Sequence, residues 1–165
     1  MHKEIKIVLT ILLAVFLFSC TSEKKTMKDG VKETDELTSV ELNVKFNKVY
    51  SWINLMPGPK AKPRFNITGE FEVYESGAYE IDKLNLTQIN IYQKSEQIYS
   101  IKPEVRQDEK LSNDKMRYQL FSTIRGLFVS EKLNTEKPVD AKFIFEYYDK
   151  MYSYYIKDVE IEKAY

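Results

Sequence analysis

The chain has 165 residues, with 25 basic and 25 acidic side chains, a formal net charge of zero and an isoelectric point near 6.6. That balance gives no global attraction to nucleic acid, and a single cysteine excludes any disulfide within the chain. The five glycines stand in no phosphate-loop spacing, so the common nucleotide-binding fingerprints are absent.

The first twenty residues read MHKEIKIVLTILLAVFLFSC. Lys3 and Lys6 precede an almost unbroken apolar run from Ile7 to Phe18. The run is too short for a hydrocarbon core of about 30 Å, which needs about 20 residues. A charged start, a short apolar run and small residues at its end form a secretory signal peptide, here residues 1–19. Leu17-Phe18-Ser19-Cys20 resembles a bacterial lipobox: a leucine three before the cysteine and a small residue directly before it. The resemblance implies a bacterial lipoprotein. It implies transfer of a diacylglyceryl group to the Cys20 sulfur, cleavage after Ser19 and acylation of the new amino terminus. The alternative is an ordinary signal peptide with a chance cysteine, but a lone thiol in an exported chain has no disulfide partner. One acyl chain holds a protein weakly, whereas two or three hold it almost permanently. Thr21 and Ser22 follow the cysteine with no aspartate directly after it. By the same resemblance this implies the outer rather than the inner membrane of a cell that has two.

Cleavage after Ser19 leaves 146 residues, and loss of Lys3, Lys6 and Glu4 takes the 25 basic and 25 acidic side chains to 23 and 24. The only histidine, His2, leaves with the signal peptide. A mature chain without histidine excludes His-based triads and Cys/His zinc sites. The covalent lipid on Cys20 is the only non-protein group expected, with no cofactor and no metal. The expectation is a non-enzymatic protein. A hydrolase or inhibitor that works without histidine is a third reading behind two non-catalytic ones.

Residues 20–39, the cysteine and then TSEKKTMKDGVKETDELTS, carry too little apolar surface to order themselves and read as a tether. Nineteen flexible residues span roughly 25 Å root-mean-square. From residue 40 to 165 the pattern is that of one β domain. Val40, Leu42, Val44 and Phe46 alternate with polar residues, and a phase shift near Lys48–Tyr50 predicts a bulge. Trp52–Met56 leads into Pro57-Gly58-Pro59-Lys60-Ala61-Lys62-Pro63, a rigid loop by its three prolines. Phe65, Ile67, Gly69, Phe71 and Val73 mark the cleanest strand, and Gly69 on its apolar face predicts close approach by a large neighbour, with Trp52 as the candidate.

Leu84–Ile91 is a strand with a change of phase, Lys94-Ser95-Glu96 a turn, and Ile98–Ile101 the returning strand. Lys102–Lys115 is charged and irregular, with room for one helical turn. Met116, Tyr118 and Leu120 mark the next strand. Gly126–Pro138 is a connection with a short helix around Ser130–Leu133. Val139–Tyr147 and Tyr152–Ile161 are the last strands, the latter with another phase change. Seven or eight short strands and no long helix predict an all-β sandwich or small barrel, with an immunoglobulin-like sandwich preferred. A Cys–Trp–Cys signature is lacking, so the domain is not of antibody type. Lys, Glu and Asn on the strand faces opposite the core argue against an outer-membrane barrel.

The candidate binding residues are Trp52, Lys60, Lys62 and Arg64. No Asp or Glu occurs between Glu41 and Glu70, an interval holding Lys45, Lys48, Lys60, Lys62 and Arg64. The plain reading is a solvated loop with ordinary surface lysines. The functional one is contact with anionic glycan, lipid headgroups or an acidic partner. Trp52, the only tryptophan, reads first as a core residue and second as a stacking platform. Tyr147, Tyr148, Tyr152, Tyr154, Tyr155 and Tyr165 read first as strand formers and second as a binding surface. Asp108, Glu109, Asn113 and Asp114 share one loop without any calcium-loop spacing. The expected role is a lipid-anchored binding module with an envelope protein or glycan partner and no nucleic acid. The alternative is an accessory subunit of an envelope complex.

Overall fold

The period-two stretches fold as the long strands of two facing sheets. The computed structural model describes residues 42–56 and 62–165 and the backbone of 32–34; Cys20, Val40 and Lys60 lie outside the described residues. The strands are β1 (Lys32–Thr34), β2 (Val44–Asn54), β3 (Arg64–Tyr74), β4 (Asn85–Gln93), β5 (Glu96–Ile101), β6 (Glu104–Gln107), β7 (Met116–Ser122), β8 (Leu127–Phe128), β9 (Val139–Tyr147), β10 (Lys150–Val159) and β11 (Ile161–Ala164). One sheet has the order β1-β10-β9-β4-β5. The other has β11-β2-β3-β7-β6, with β8 paired to β3. All pairs are antiparallel except β11 with β2. There is no helix among the described residues.

The all-β sandwich is therefore as expected, and the described residues form eleven strands where seven or eight were expected. The additions are β1, β6, β8 and β11, each of two to four residues. β1 lies inside the segment read as a tether and pairs with β10. The charged stretch after Lys102 holds β6 and then a single turn closed by Leu111 N and Ser112 N donating to the Asp108 carbonyl at 3.3 and 3.1 Å, where one helical turn was expected. Around Ser130–Leu133 a single i to i+3 bond from Leu133 N to the Ser130 carbonyl, 3.0 Å, closes a turn where a short helix was expected.

With no disulfide to join the sheets, aromatic packing does so. Phe65, Phe71, Phe121, Phe143 and Phe145 are fully buried. Phe46 lies among rings of both sheets, with centroids 5.4 Å from Phe71, 4.3 Å from Phe143 and 5.1 Å from Tyr154. Offset and tilted pairs at these distances add to the area term. The expected phase shifts are β-bulges: register breaks lie between Phe46 and Lys48, between Leu86 and Gln88, and between Ile156 and Val159.

One expectation is corrected in the core. Met116, Tyr118 and Leu120 form β7 as expected and face outward, Leu120 being 40% exposed, while Gln119 and Phe121 are buried. The register places Phe121 opposite Gly69, so Phe121, not Trp52, is the large neighbour that Gly69 admits. A methyl group on Gly69 would lie 2.3 Å from the Lys48 carbonyl oxygen and 2.7 Å from the Phe121 ring. Arg117, also on β7, donates through Nη2 to the carbonyls of Ile81 and Leu84 and pairs through Nη1 with Asp82 at 3.5 Å. It thus ties the connection between the sheets to β7. Burial lowers its pKa, and Asp82 partly opposes that shift.

Candidate functional site

The bulge in β2 decides which side chains face out. After it, Val49, Ser51 and Ile53 turn inward, which leaves Tyr50, Trp52 and Asn54 on the outer face. Trp52 is consequently half-buried on the outer face and is not a core residue. The alternation Val49–Ser51–Ile53 was the signal in the sequence, overridden by the habit of lone tryptophans to be buried.

Arg64 opens β3. Alternation sends Phe65 inward, where it stacks on Tyr99 at 5.0 Å, and sends Arg64 outward, paired with Phe128 of β8. The Arg64 guanidinium lies over the Phe128 ring at 4.3 Å, within cation–π range. Its Nη1 donates to the Arg125 and Gly126 carbonyls at 3.3 and 3.1 Å, which sets its orientation. Lys62 Nζ approaches the same ring at 5.8 Å. Gly126 has φ of +61° and sits so close to β3 that a Cβ would meet the Asn66 side-chain oxygen at 2.5 Å. Only glycine allows that loop to close onto the strand.

Cross-strand register assembles these groups. Trp52 is opposite Asn66 on one side and Glu162 on the other, and Asn54 is opposite Arg64. Trp52 and Arg64 are therefore diagonal neighbours on one face, a separation long side chains can bridge. Of the four candidate residues, the fold gathers Trp52, Lys62 and Arg64 at one end of the β2/β3 sheet, and Lys60 lies outside the described residues. Phe128 was missed, because a two-residue strand in a polar connection leaves no periodicity. Beside this end, Ser100–Lys102 and Thr123–Leu127 line an open groove of about 460 Å³. Its lining carries Lys102 and Arg125 and no carboxylate.

Farther along the same outer face Glu70 and Glu72 stand opposite Lys48 and Lys45. Tyr74 and Asn47 donate to Glu72, and with Lys45 they hold its carboxyl below the usual range. Tyr118 donates to Glu70. Both phenols are pushed up, chiefly by these bonds to carboxylates.

The terminal tyrosines do not share one surface. Tyr152 is buried, Tyr154 packs against Phe46, and Tyr148 and Tyr165 are exposed. In the acidic loop, the side chains of Asp108 and Asn113 accept the backbone N–H groups of Lys110 and Lys115. Among the described residues no three His, Cys, Asp or Glu side chains converge as a metal site. The chemistry that the β8 end offers is stacking and cation-mediated binding.

An all-β sandwich with a basic–aromatic end is the class of protein that fold and site define. Comparison of the chain with protein-family models, curated proteins and solved structures finds no match.

Proposed function

We propose that the chain is a lipid-anchored, non-enzymatic binding module of the bacterial envelope, built on an immunoglobulin-like sandwich, whose β8 end binds an anionic ligand. The fold reading is supported by strand order. β2-β3-β7-β6 and β10-β9-β4-β5 correspond to the A-B-E-D and G-F-C-C′ orders of immunoglobulin-like domains. The anchor reading is supported by the lipobox resemblance at Cys20. The outer membrane is the favoured destination, and an envelope protein or glycan the favoured partner.

The observation that carries the binding reading is the Arg64–Phe128 stack with Trp52 diagonal to Arg64 on the same face. Held cations beside aromatic rings suit anionic glycans and acidic segments better than neutral ligands. Binding to an immobilised anionic glycan is expected to weaken with added salt. At roughly 1 kcal/mol per cation, the double variant Lys62→Glu/Arg64→Glu should lose at least about 30-fold in affinity. Unchanged affinity in surface plasmon resonance would sink the proposal.

One observation favours the accessory-subunit reading. β5 pairs only with β4 among the described strands, so its outer edge is a place where a partner strand can add.

A further inference from the structure

The direction of β1 says which end of the domain faces the anchor. β1 is antiparallel to β10, with Lys32 opposite Tyr154 and Thr34 opposite Tyr152. β10 starts at the turn after Tyr147 and runs away from it, and β11 continues beside β2 as far as Asn54, opposite Arg64. Traced back from Thr34 to Lys32, the chain therefore heads along β10 toward the β8 end. Only eleven residues lie between Lys32 and Cys20, a separation of twelve positions. Fully extended they reach about 40 Å. A lipid on Cys20 holds the domain close to the bilayer, with the chain leaving toward the β8 end.

That end has the composition of a membrane-interface surface. Met56, Ile124 and Phe128 are 57%, 67% and 58% exposed, beside Lys62, Arg64 and Arg125. Aromatic and long apolar side chains mixed with cations settle at the headgroup level of anionic bilayers. Two of the carboxylates there, Glu96 and Glu136, are paired with Lys132 and Lys163. Glu162 faces Trp52 across β11 and β2. The opposite end, formed by the 80–83 and 108–114 turns and the turn after Tyr147, is mixed in charge: Glu80, Asp82, Asp108, Glu109, Asp114 and Asp149 stand among Lys83, Lys110 and Lys150. The cluster of Lys62, Arg64 and Arg125 gives the β8 end a local attraction to a negative surface.

From the direction of β1 and the exposed apolar and basic side chains of the β8 end we infer that the anionic ligand of that end is the headgroup layer of the membrane that holds the Cys20 anchor. The domain then lies with Trp52, Lys62, Arg64, Arg125 and Phe128 against the bilayer and its opposite end outward. The inference rests on the anionic-binding reading above and names its partner.

Trp52, the only tryptophan, reports on the contact. The lipidated full mature chain is reconstituted into bilayers of phosphatidylcholine alone and of phosphatidylcholine with phosphatidylglycerol, and Trp52 emission is recorded. The expected result is a blue shift with quenching by headgroup-level brominated lipid in the anionic bilayer only. High salt should reverse it, and Lys62→Glu/Arg125→Glu, two exposed positions, should abolish it. Equal emission in both bilayers overturns the inference. So does a Trp52 response to a soluble sulfated glycan but not to the anionic bilayer, which leaves the binding reading standing. No response to either overturns both, and capture of the β8 end by an envelope protein with no bilayer response also overturns the membrane assignment.

Discussion

Replacing Cys20 by Ser is expected to move the protein almost completely from the membrane fraction to the soluble fraction. At about 0.8 kcal/mol per buried CH₂, two acyl chains of ordinary length contribute on the order of 20 kcal/mol of anchoring. No surface patch approaches that figure. On the proposed seat the basic end would add roughly 1 kcal/mol per cation, which orients a tethered domain but does not retain a free one. Fractionation of cells expressing the variant, with immunoblotting of the mature chain, checks the outcome. Retention of most of the protein in a salt-washed membrane fraction would contradict the anchor.

The second large effect is in the core. Gly69→Ala should cost about 3 kcal/mol, the upper part of the range for overpacking. The added methyl would meet the Lys48 carbonyl at 2.3 Å and the Phe121 ring at 2.7 Å. A ring can rotate away, but a carbonyl in the β2/β3 ladder moves only with its strand. Adding Phe121→Leu to the variant should therefore recover little of the loss. Against a total stability of 5–15 kcal/mol this is a large fraction. In a domain of this size the melting temperature should fall by roughly 10 °C or more. A Gly69→Ala protein that melts within a degree or two of the wild type would show that the bulge at Lys48 packs differently.

These residues also mark where the fold was legible. The strict alternation of β3, Phe65 to Val73, reads directly because one face is wholly buried and the other is polar. β9 reads for the same reason. The phase changes in β2, β4 and β10 were visible because a bulge exchanges inward and outward positions. The buried face of β7 was not legible in the sequence. Met116, Tyr118 and Leu120 are the more apolar set, yet Gly69 must face Phe121, and that partner 52 positions away sets the phase. β6, β8 and β11 were hidden because strands of two to four residues at a sheet edge or end complete no hydrophobic period.

The candidate site was legible in part. The absence of carboxylates from 42 to 69 singled out Lys62 and Arg64 as candidates before any geometry was known. Phe128 reached the site through pairing with Arg64, more than sixty residues away in sequence. The groove cations Lys102 and Arg125 came together only through the approach of the two connections that line it. Distances of that kind leave no mark on local composition.

Both the proposed envelope location and the proposed orientation of the basic end depend on what is attached to Cys20. The most direct measurement is the intact mass of the mature protein purified from membranes in detergent. The expected mass is that of residues 20–165 carrying a diacylglyceryl group on Cys20 and an acyl group on its amino terminus, with no thiol free to alkylate. A chain cut at another position, or one beginning at Cys20 with an alkylatable thiol, would contradict the anchor and with it the proposed seat of the domain on the membrane.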